Sequence, residues 1–327
     1  MGKTIEKPKM PDRPAPAPGA GAHAQTHGRV PAHSASSTLQ AWLRLVRIEH
    51  ALMSAAGVFI GLLLASGSGP ALLAQPLRTL LLSLSVPVLI NIGAFALNDY
   101  WDIETDRLNG RVERPLVSGA LSPTLAIETA GAGLLFGILA AAMLNPAASA
   151  VAALFAVLSL AYDRWLKDLP LLGNLTIAAS MAIAFAFGGL ALGMPIEKMP
   201  PSLTLLTVGA FLAGLGRELV KTVQDMEGDR LARKSRSLPL LIGPRPCLLL
   251  AALCYAAFAF TAVLLLSSGP AFTVISGGLL MLAALAFLTQ AAQLLLQPPA
   301  PALLEQLRKS SLWSLFIALI GIAIAAL

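Results

Sequence analysis

Long runs of apolar residues, broken at intervals by short polar segments, dominate the chain after residue 37. Many of these runs approach or reach the roughly 20 residues that a helix needs to cross the hydrocarbon core of a bilayer. They predict an all-α, polytopic membrane protein with nine transmembrane helices in one bundle. The predicted spans are Trp42 or Ile48 to Ala65, 77–97, 122–143, 147–162, 171–193, 202–221, 247–266, 272–295 and 307–327.

The residues that precede the first span have two different patterns. Residues 1–37 are rich in Pro, Ala, Gly and His and contain no apolar run, which predicts a disordered tail before a transmembrane domain of residues 38–327. We expect no secretory signal in this tail, because no apolar segment follows its charges. The amphipathic stretch Leu39–Arg47 favours a helix on the membrane surface.

The charges are few and unevenly placed. Only 12% of residues are charged and the formal net charge is +6, with the basic residues scattered at span ends rather than clustered as nucleic-acid binding would require. Alternate counting of the loops places the tail, the 163–168 loop and the basic loop 230–245 on one side. The other side receives only Arg78 and Lys198 among its Lys and Arg residues. The positive-inside rule then predicts a cytoplasmic amino terminus and a carboxyl terminus outside the cell.

The second span delivers an acidic run, Asn98-Asp-Tyr-Trp-Asp-Ile-Glu-Thr-Asp106. Asn98, Asp102 and Asp106 follow one another at four-residue steps, so a continuing helix places them on one stripe. Oxygen-bearing groups crowded in this way favour a divalent cation between them, and Mg²⁺ commonly bridges carboxylates and substrate phosphates. This run is the first candidate metal site.

The sixth span delivers a second acidic element at the same predicted face. Arg217, Lys221, Asp225 and Asp229 lie at successive four-residue steps, so two cations lead into two carboxylates on one helical stripe. One such cluster is also typical of a solvated helix end. Two clusters with the same spacing favour a functional site, because ionisable groups within membrane helices are costly.

Together the two elements predict a Mg²⁺–diphosphate site at the cytoplasmic face, opening into an apolar bundle. Asp102, Asp106, Asp225 and Asp229 supply the metal-binding carboxylates, and the predicted phosphate-binding cations are Arg114, Lys167, Arg217 and Lys221. An isoprenyl diphosphate matches this combination, since its head is anionic and its tail is hydrocarbon. The predicted reaction is ionisation to an allylic cation, which an acceptor then captures.

Neighbouring residues receive narrower predictions. Asp99 lies one position off the metal stripe, so a role beside the metal is expected rather than direct ligation. Tyr162 and Lys167 lie next to the predicted site, and Lys167 is a predicted diphosphate contact. Asp163 and Asp168 have the alternative of pairing with Arg164 and Lys167 in their own loop. Small residues at Gly188, Gly189, Gly209, Gly214 and Gly216 predict close helix packing.

The motifs Asn98-Asp-x-x-Asp-x-x-x-Asp106 and Asp225-x-x-x-Asp229 in a nine-span chain resemble the UbiA superfamily of intramembrane prenyltransferases. The resemblance extends from about Leu43 to the end. It implies Mg²⁺-dependent transfer of a polyprenyl group, with Asn98, Asp102, Asp106, Asp225 and Asp229 holding the metals.

Within the superfamily, the segments 216–229, 114–119, Gly173-Asn174 and 237–239 look most like archaeal digeranylgeranylglyceryl phosphate synthases. This resemblance implies transfer of a geranylgeranyl group from its diphosphate to the hydroxyl of geranylgeranylglyceryl phosphate in ether-lipid synthesis. An acceptor that carries its own phosphate matches the additional cations Arg47, Arg233 and Lys234. The implied surroundings are the lipid bilayer and two substrates, with no nucleic acid and no obligate protein partner.

Two other functions stay open at this stage. An aromatic prenyltransferase of quinone synthesis, of the 4-hydroxybenzoate type, shares the metal site and is compatible with Arg47-Ile-Glu-His50. A membrane transporter also uses intramembrane carboxylates, but it favours ionisable groups spread through the membrane depth or inverted repeats. In this chain the charges gather on one side.

Overall fold

The computed structural model describes residues 35–108, 110–233, 237–268 and 272–327, and for 35, 36 and 227–233 it describes the backbone alone. Within these ranges nine helices are long and apolar enough to cross a membrane, as predicted. They are α2 (Ile48–Ser66), α4 (Leu77–Trp101), α6 (Pro123–Ala142), α7 (Pro146–Arg164), α8 (Leu172–Ala191), α9 (Pro201–Arg233), α11 (Pro244–Ser268), α12 (Val274–Leu296) and α13 (Pro301–Ala326).

Four short helices complete the described structure: α1 (Ala35–Leu45), α3 (Gly69–Leu73), α5 (Ile103–Leu108) and α10 (Leu238–Ile242). Helix α1 begins inside the predicted tail, of which residues 1–34 lie outside the described residues. It is separate from α2 because Arg47 takes a left-handed backbone conformation, with φ 45° and ψ 58°, and turns the chain. Its buried residues Ala41 and Leu45 pack in one cluster with Ala96 and Leu97 of α4.

Two predicted loops are partly helical. Helix α7 continues to Arg164, so Asp163 is a helical residue and not the first residue of a loop. The segment predicted as the basic loop 230–245 contains the end of α9, all of α10 and the start of α11. Both differences have the same cause, since polarity marks where a helix leaves the membrane and not where its backbone hydrogen bonds end.

The spanning helices pack into one bundle. Helix α4 packs against α2, α6 and α7, and α8 packs against α2, α7 and α9. Helices α11, α12 and α13 follow α9, and α13 contacts both α9 and α2, which brings the last span beside the first. Large apolar side chains such as Leu81, Leu135 and Leu285 are exposed on the outside, as expected for surfaces that meet lipid.

Glycine permits the closest helix crossings. A Cβ atom added at Gly188 of α8 would lie 2.3 Å from the backbone nitrogen of Leu62 in α2. One added at Gly133 of α6 would lie 2.7 Å from the nitrogen of Gly93 in α4. Backbones approach this closely only where side chains are absent, and in lipid such packing replaces the hydrophobic effect as the main attraction between helices. The second crossing packs α6 directly against α4, which carries the first acidic motif.

Candidate active site

The first acidic motif spans a break between two helices. Helix α4 ends at Trp101, Asp102 follows with φ −91° and ψ 2°, and α5 starts at Ile103. The helical hydrogen bonds nevertheless continue, from Asp102 N to Asn98 O at 3.0 Å and from Asp106 N to Asp102 O at 2.7 Å. The four-residue spacing predicted for Asn98, Asp102 and Asp106 is therefore present in the fold.

Asp99 is a buried carboxylate of this run that pairs with two arginines. Its side chain is 3% exposed and lies 2.8 Å from the guanidinium of Arg47 and 3.0 Å from that of Arg114. A non-glycine residue in the left-handed region costs roughly 1–2 kcal/mol, and the ion pair with Asp99 offsets that cost at Arg47. Asp99 thus holds two arginines at the site, and its predicted role beside the metal stays a prediction.

Asp102 is held through both of its oxygens. Oδ1 accepts a hydrogen bond from Lys167 Nζ at 2.7 Å, and Oδ2 accepts one from Asn98 Nδ2 at 3.2 Å. The same Nδ2 donates to Oδ1 of Asp163 at 2.7 Å. Lys167 pairs with Asp102 instead of with Asp163 or Asp168, and Asp163 contacts the first motif. The alternative of an ion pair within the 163–168 segment is therefore wrong for Asp163 and Lys167.

Asp106 completes the first motif. It is 2% exposed and accepts a hydrogen bond from Arg111 at 2.9 Å, while Nε of Arg114 lies 3.7 Å away. Arg114 therefore reaches from Asp99 to Asp106, and its planar guanidinium has the fork geometry to serve two carboxylates. Sequence reasoning did not select Arg111, because nothing in the local sequence distinguishes it from the exposed Arg107.

Charges of opposite sign are balanced in this cluster. Among the described residues it contains four carboxylates and four cations, namely Asp99, Asp102, Asp106 and Asp163 with Arg47, Arg111, Arg114 and Lys167. Burying unbalanced charge at a membrane boundary costs several kcal/mol per ion, about as much as a good partner recovers. A cluster of this kind can accept added metal charge and added phosphate charge together.

The position of Lys167 depends on a tight turn. Residues Leu166–Asp168 form a 3-10 turn between α7 and α8. A Cβ atom at Gly173 would lie 2.9 Å from Leu166 O and 3.2 Å from Lys167 Cα, so the turn packs directly on the start of α8. Tyr162 lies on the last turn of α7, partly buried and next to Asp163 in the chain.

The second acidic element is helical, as predicted. Lys221 is half-exposed and lies 3.9 Å from Glu218, while Arg217 donates from Nε to Ser311 Oγ of α13 at 3.0 Å. Asp225 is exposed. The side chains of Asp229, Arg233 and Lys234 lie outside the described residues, so the predictions for them stay predictions.

Helix α8 is tied to this element by Asn174. Its Nδ2 donates to Thr222 Oγ1 at 2.6 Å and to the backbone oxygen of Glu218 at 3.3 Å. The next turn of α9 is tied to α13, since Gln224 Nε2 donates to Glu305 at 3.0 Å. The second element is thus fixed from two sides.

The two elements lie at the same end of the bundle, where α5 contacts α9. In the part of the chain that the structure describes, no three His, Cys, Asp or Glu side chains are arranged closely enough to hold a metal ion, since arginine and lysine occupy the carboxylates of the first motif. The donor chemistry nevertheless fits Mg²⁺, because the acidic side chains and Asn98 offer only oxygen as a ligand atom.

Comparison with known proteins gives consistent results. A model of the UbiA prenyltransferase family matches residues 54–302. Digeranylgeranylglyceryl phosphate synthase of Archaeoglobus fulgidus is 38% identical over 228 residues, which cover 69% of this chain and 74% of that protein. The protein of the same name from Ignicoccus hospitalis is 35% identical over 260 residues, covering 77% of this chain and 82% of that protein.

Solved structures share the fold. A structure of digeranylgeranylglyceryl phosphate synthase in membranes aligns with a TM-score of 0.72 at 26% identity, covering 88% of this chain and 98% of that chain. A UbiA homologue from Aeropyrum pernix K1 aligns with a TM-score of 0.70 at 23% identity, covering 86% and 99%. One from Archaeoglobus fulgidus, bound to GPP and Mg²⁺, aligns with a TM-score of 0.62 at 20% identity, covering 86% and 99%.

Proposed function

Because this chain belongs to the UbiA prenyltransferase family, it is a multi-pass membrane prenyltransferase, and we propose that it transfers a geranylgeranyl group from its diphosphate to the hydroxyl of geranylgeranylglyceryl phosphate. The reaction would form the diether core of archaeal lipids. The observation that carries this proposal is the charge-balanced cluster at the end of an apolar bundle. It supplies oxygen ligands for a divalent cation and arginines and lysine for phosphate in one place.

The divalent cation is proposed to be Mg²⁺, the ion named with a UbiA homologue from Archaeoglobus fulgidus. Asp102 and Asp106 would hold it from the first motif, with Asn98 beside them, and Asp225 and Asp229 from the second. When bound, the metal supplies positive charge that stabilises the diphosphate as it leaves. This fit rests on the all-oxygen donor set of the acidic side chains and Asn98.

The basic residues bind phosphate in this proposal. Lys167 now neutralises Asp102 at 2.7 Å, so it is free for phosphate oxygens once Asp102 meets a cation. Arg114 is held beside the site by its 3.0 Å ion pair with Asp99. Lys221 reaches the same end of the bundle from α9 and is half-exposed. Arg217 and Tyr162 complete the proposed substrate-binding set, with Arg217 now held by Ser311.

In the proposed reaction the bond between the allylic carbon and the diphosphate oxygen breaks, and its electron pair leaves with the diphosphate. The hydroxyl oxygen of the acceptor then attacks the allylic cation, and its proton passes to the released diphosphate. The surrounding cations Lys167, Arg114 and Arg47 stabilise the negative charge that develops on the diphosphate. The apolar bundle excludes water, which would otherwise capture the cation.

An acceptor with its own phosphate matches the further basic residues at this face. Arg47 and Arg111 are partly exposed beside the first motif, and the sequence adds Arg233 and Lys234 at the same face. A carboxylated phenol needs only one or two cations. The positive-inside rule supports a cytoplasmic position for this face, with the carboxyl terminus outside.

Prenyl transfer by the purified protein tests the proposal. Labelled geranylgeranyl diphosphate and Mg²⁺ are supplied with geranylgeranylglyceryl phosphate or with 4-hydroxybenzoate in parallel reactions. We expect product from the glyceryl phosphate alone, loss of product with EDTA or Asp102→Ala, and retention with Glu104→Ala, whose side chain is exposed and off the metal stripe. Product from the phenol alone would instead assign the protein to quinone synthesis.

A further inference from the structure

Asp163 belongs to neither aspartate motif, yet it is one of the few buried charged residues in the described structure. It lies on the last turn of α7 and is 6% exposed. A carboxylate at this depth is costly without a partner. It accepts a hydrogen bond from Asn98 of α4, at a separation of 65 residues in the chain.

The Asn98 amide has a defined orientation in this contact. Its Nδ2 faces two carboxylates, at 2.7 Å from Asp163 and 3.2 Å from Asp102, and its Oδ1 faces Arg47 NH2 at 3.5 Å. The reversed orientation would point the amide oxygen at both carboxylates and the amino group at a guanidinium. Electrostatics therefore selects the observed orientation.

Asp102 depends on this amide. Lys167 holds one of its oxygens, and Asn98 holds the other. The contact of Asn98 with Asp163 is shorter than its contact with Asp102, so Asp163 anchors the amide and the amide orients Asp102. The chain of contacts joins α7 to the end of α4, where the helix breaks at the metal motif.

We propose that Asp163 is a positioning residue for the metal site, which acts by fixing the Asn98 amide and through it the carboxylate of Asp102. This inference rests on the proposed function, since it concerns the metal that the first motif would hold. Carboxylates that orient metal ligands from outside typically change metal affinity by about 10–100-fold when removed. The role requires an acceptor oxygen at position 163 and does not require a negative charge.

A double-mutant cycle measured by metal binding tests this role. Mn²⁺ serves as the probe, with its Kd determined by electron paramagnetic resonance on the purified full chain in the presence of inorganic diphosphate. Asp163→Ala and Asn98→Ala should each raise the Kd by about 10-fold or more. The double variant should bind no more weakly than Asn98→Ala, within about twofold, because Asp163 acts through Asn98.

Two conservative variants separate positioning from charge and from folding. Asp163→Asn keeps an acceptor oxygen and the side-chain shape, so its Kd should stay within about twofold of wild type even if Asp163→Ala fails to fold. Asp168→Asn, on the exposed turn that follows α7, is the matched control and should leave the Kd unchanged. A loss in Asp163→Asn as large as that in Asp163→Ala would overturn the positioning role.

The failure of this inference is distinguishable from the failure of the proposed function. If Asp102→Asn weakens Mn²⁺ binding but neither Asp163→Ala nor Asp163→Asn does, the metal site stands and the role of Asp163 is refuted. If Asp163→Ala adds a further loss in the Asn98→Ala background, Asp163 acts independently of Asn98. If wild type binds no Mn²⁺ with diphosphate, both are overturned.

Discussion

The crossing of α4 and α6 leads to a quantitative prediction for Gly133→Ala. The added Cβ atom would lie 2.7 Å from Gly93 N and 2.8 Å from Leu89 O. These are backbone atoms that cannot rotate aside, so the helices must separate by about 0.7 Å before the closest contact reaches the 3.4 Å of ordinary van der Waals packing. Gly131, on the same helix, faces open space and provides a matched control.

The comparison of the two alanine variants isolates the close contact. Both gain the same helix propensity, about 1 kcal/mol, when glycine becomes alanine. Only Gly133→Ala adds an overpacking cost, typically about 1–3 kcal/mol. We therefore expect Gly131→Ala to unfold at or above the wild-type temperature and Gly133→Ala to unfold below Gly131→Ala, in thermal unfolding followed in one detergent.

Activity should also fall in Gly133→Ala. Asn98 and Asp102 lie about 7 and 13 Å beyond Gly93 along α4, at 1.5 Å per residue. Functional geometry tolerates shifts of about 0.5 Å, and a displacement of about 1 Å costs about 100-fold. A shift near 0.7 Å should then lower kcat/KM for prenyl transfer by about 10-fold. If Gly133→Ala matches Gly131→Ala in both unfolding and activity, the close crossing does not position the site.

Two further predictions concern the first motif. Arg114→Lys keeps the charge but lacks the planar fork that reaches both Asp99 and Asp106, so kcat/KM for the prenyl diphosphate should fall about 10-fold. The control Arg107→Lys changes an exposed ion pair and should match wild type. Equal activity of both variants would contradict the bridging role of Arg114. Leu45→Ala removes a fully buried side chain of α1 close to Arg47, so it should lower the free energy of unfolding by about 2–4 kcal/mol and raise KM. Leu39→Ala, at a residue that is 58% exposed, is the control. An unchanged melting temperature in Leu45→Ala would refute the packing of α1.

The close-packing glycines illustrate the limit of sequence reasoning. All five glycines predicted to allow close approach have a neighbouring atom between 2.3 and 3.2 Å from an added Cβ, but that atom belongs to another backbone only at Gly188 and to a side chain at the other four. The sequence pattern did not single out Gly93 and Gly133, although the contact between them is as close as the contacts of most of those five glycines. A glycine in an apolar segment shows that approach is possible, but its rotation about the helix axis decides whether another backbone lies there.

The nine spans found among the described residues, the helical class and the spacing of Asn98, Asp102 and Asp106 all follow from the amino-acid sequence. These are local properties, since bilayer thickness sets the length of a span and helical periodicity sets which neighbours share a stripe. The family followed from two short motifs whose spacing is equally local.

Which charges meet depends on how the helices pack. Asp99 pairs with Arg47 from the turn before α2, Asp102 pairs with Lys167 from a turn 65 residues away, and Arg217 bonds to Ser311 of the last span. The partner of a buried charge depends on how each helix is rotated and how closely its neighbours approach. Those quantities arise from packing between segments far apart in the chain, and so the spacing of residues along one helix does not contain them.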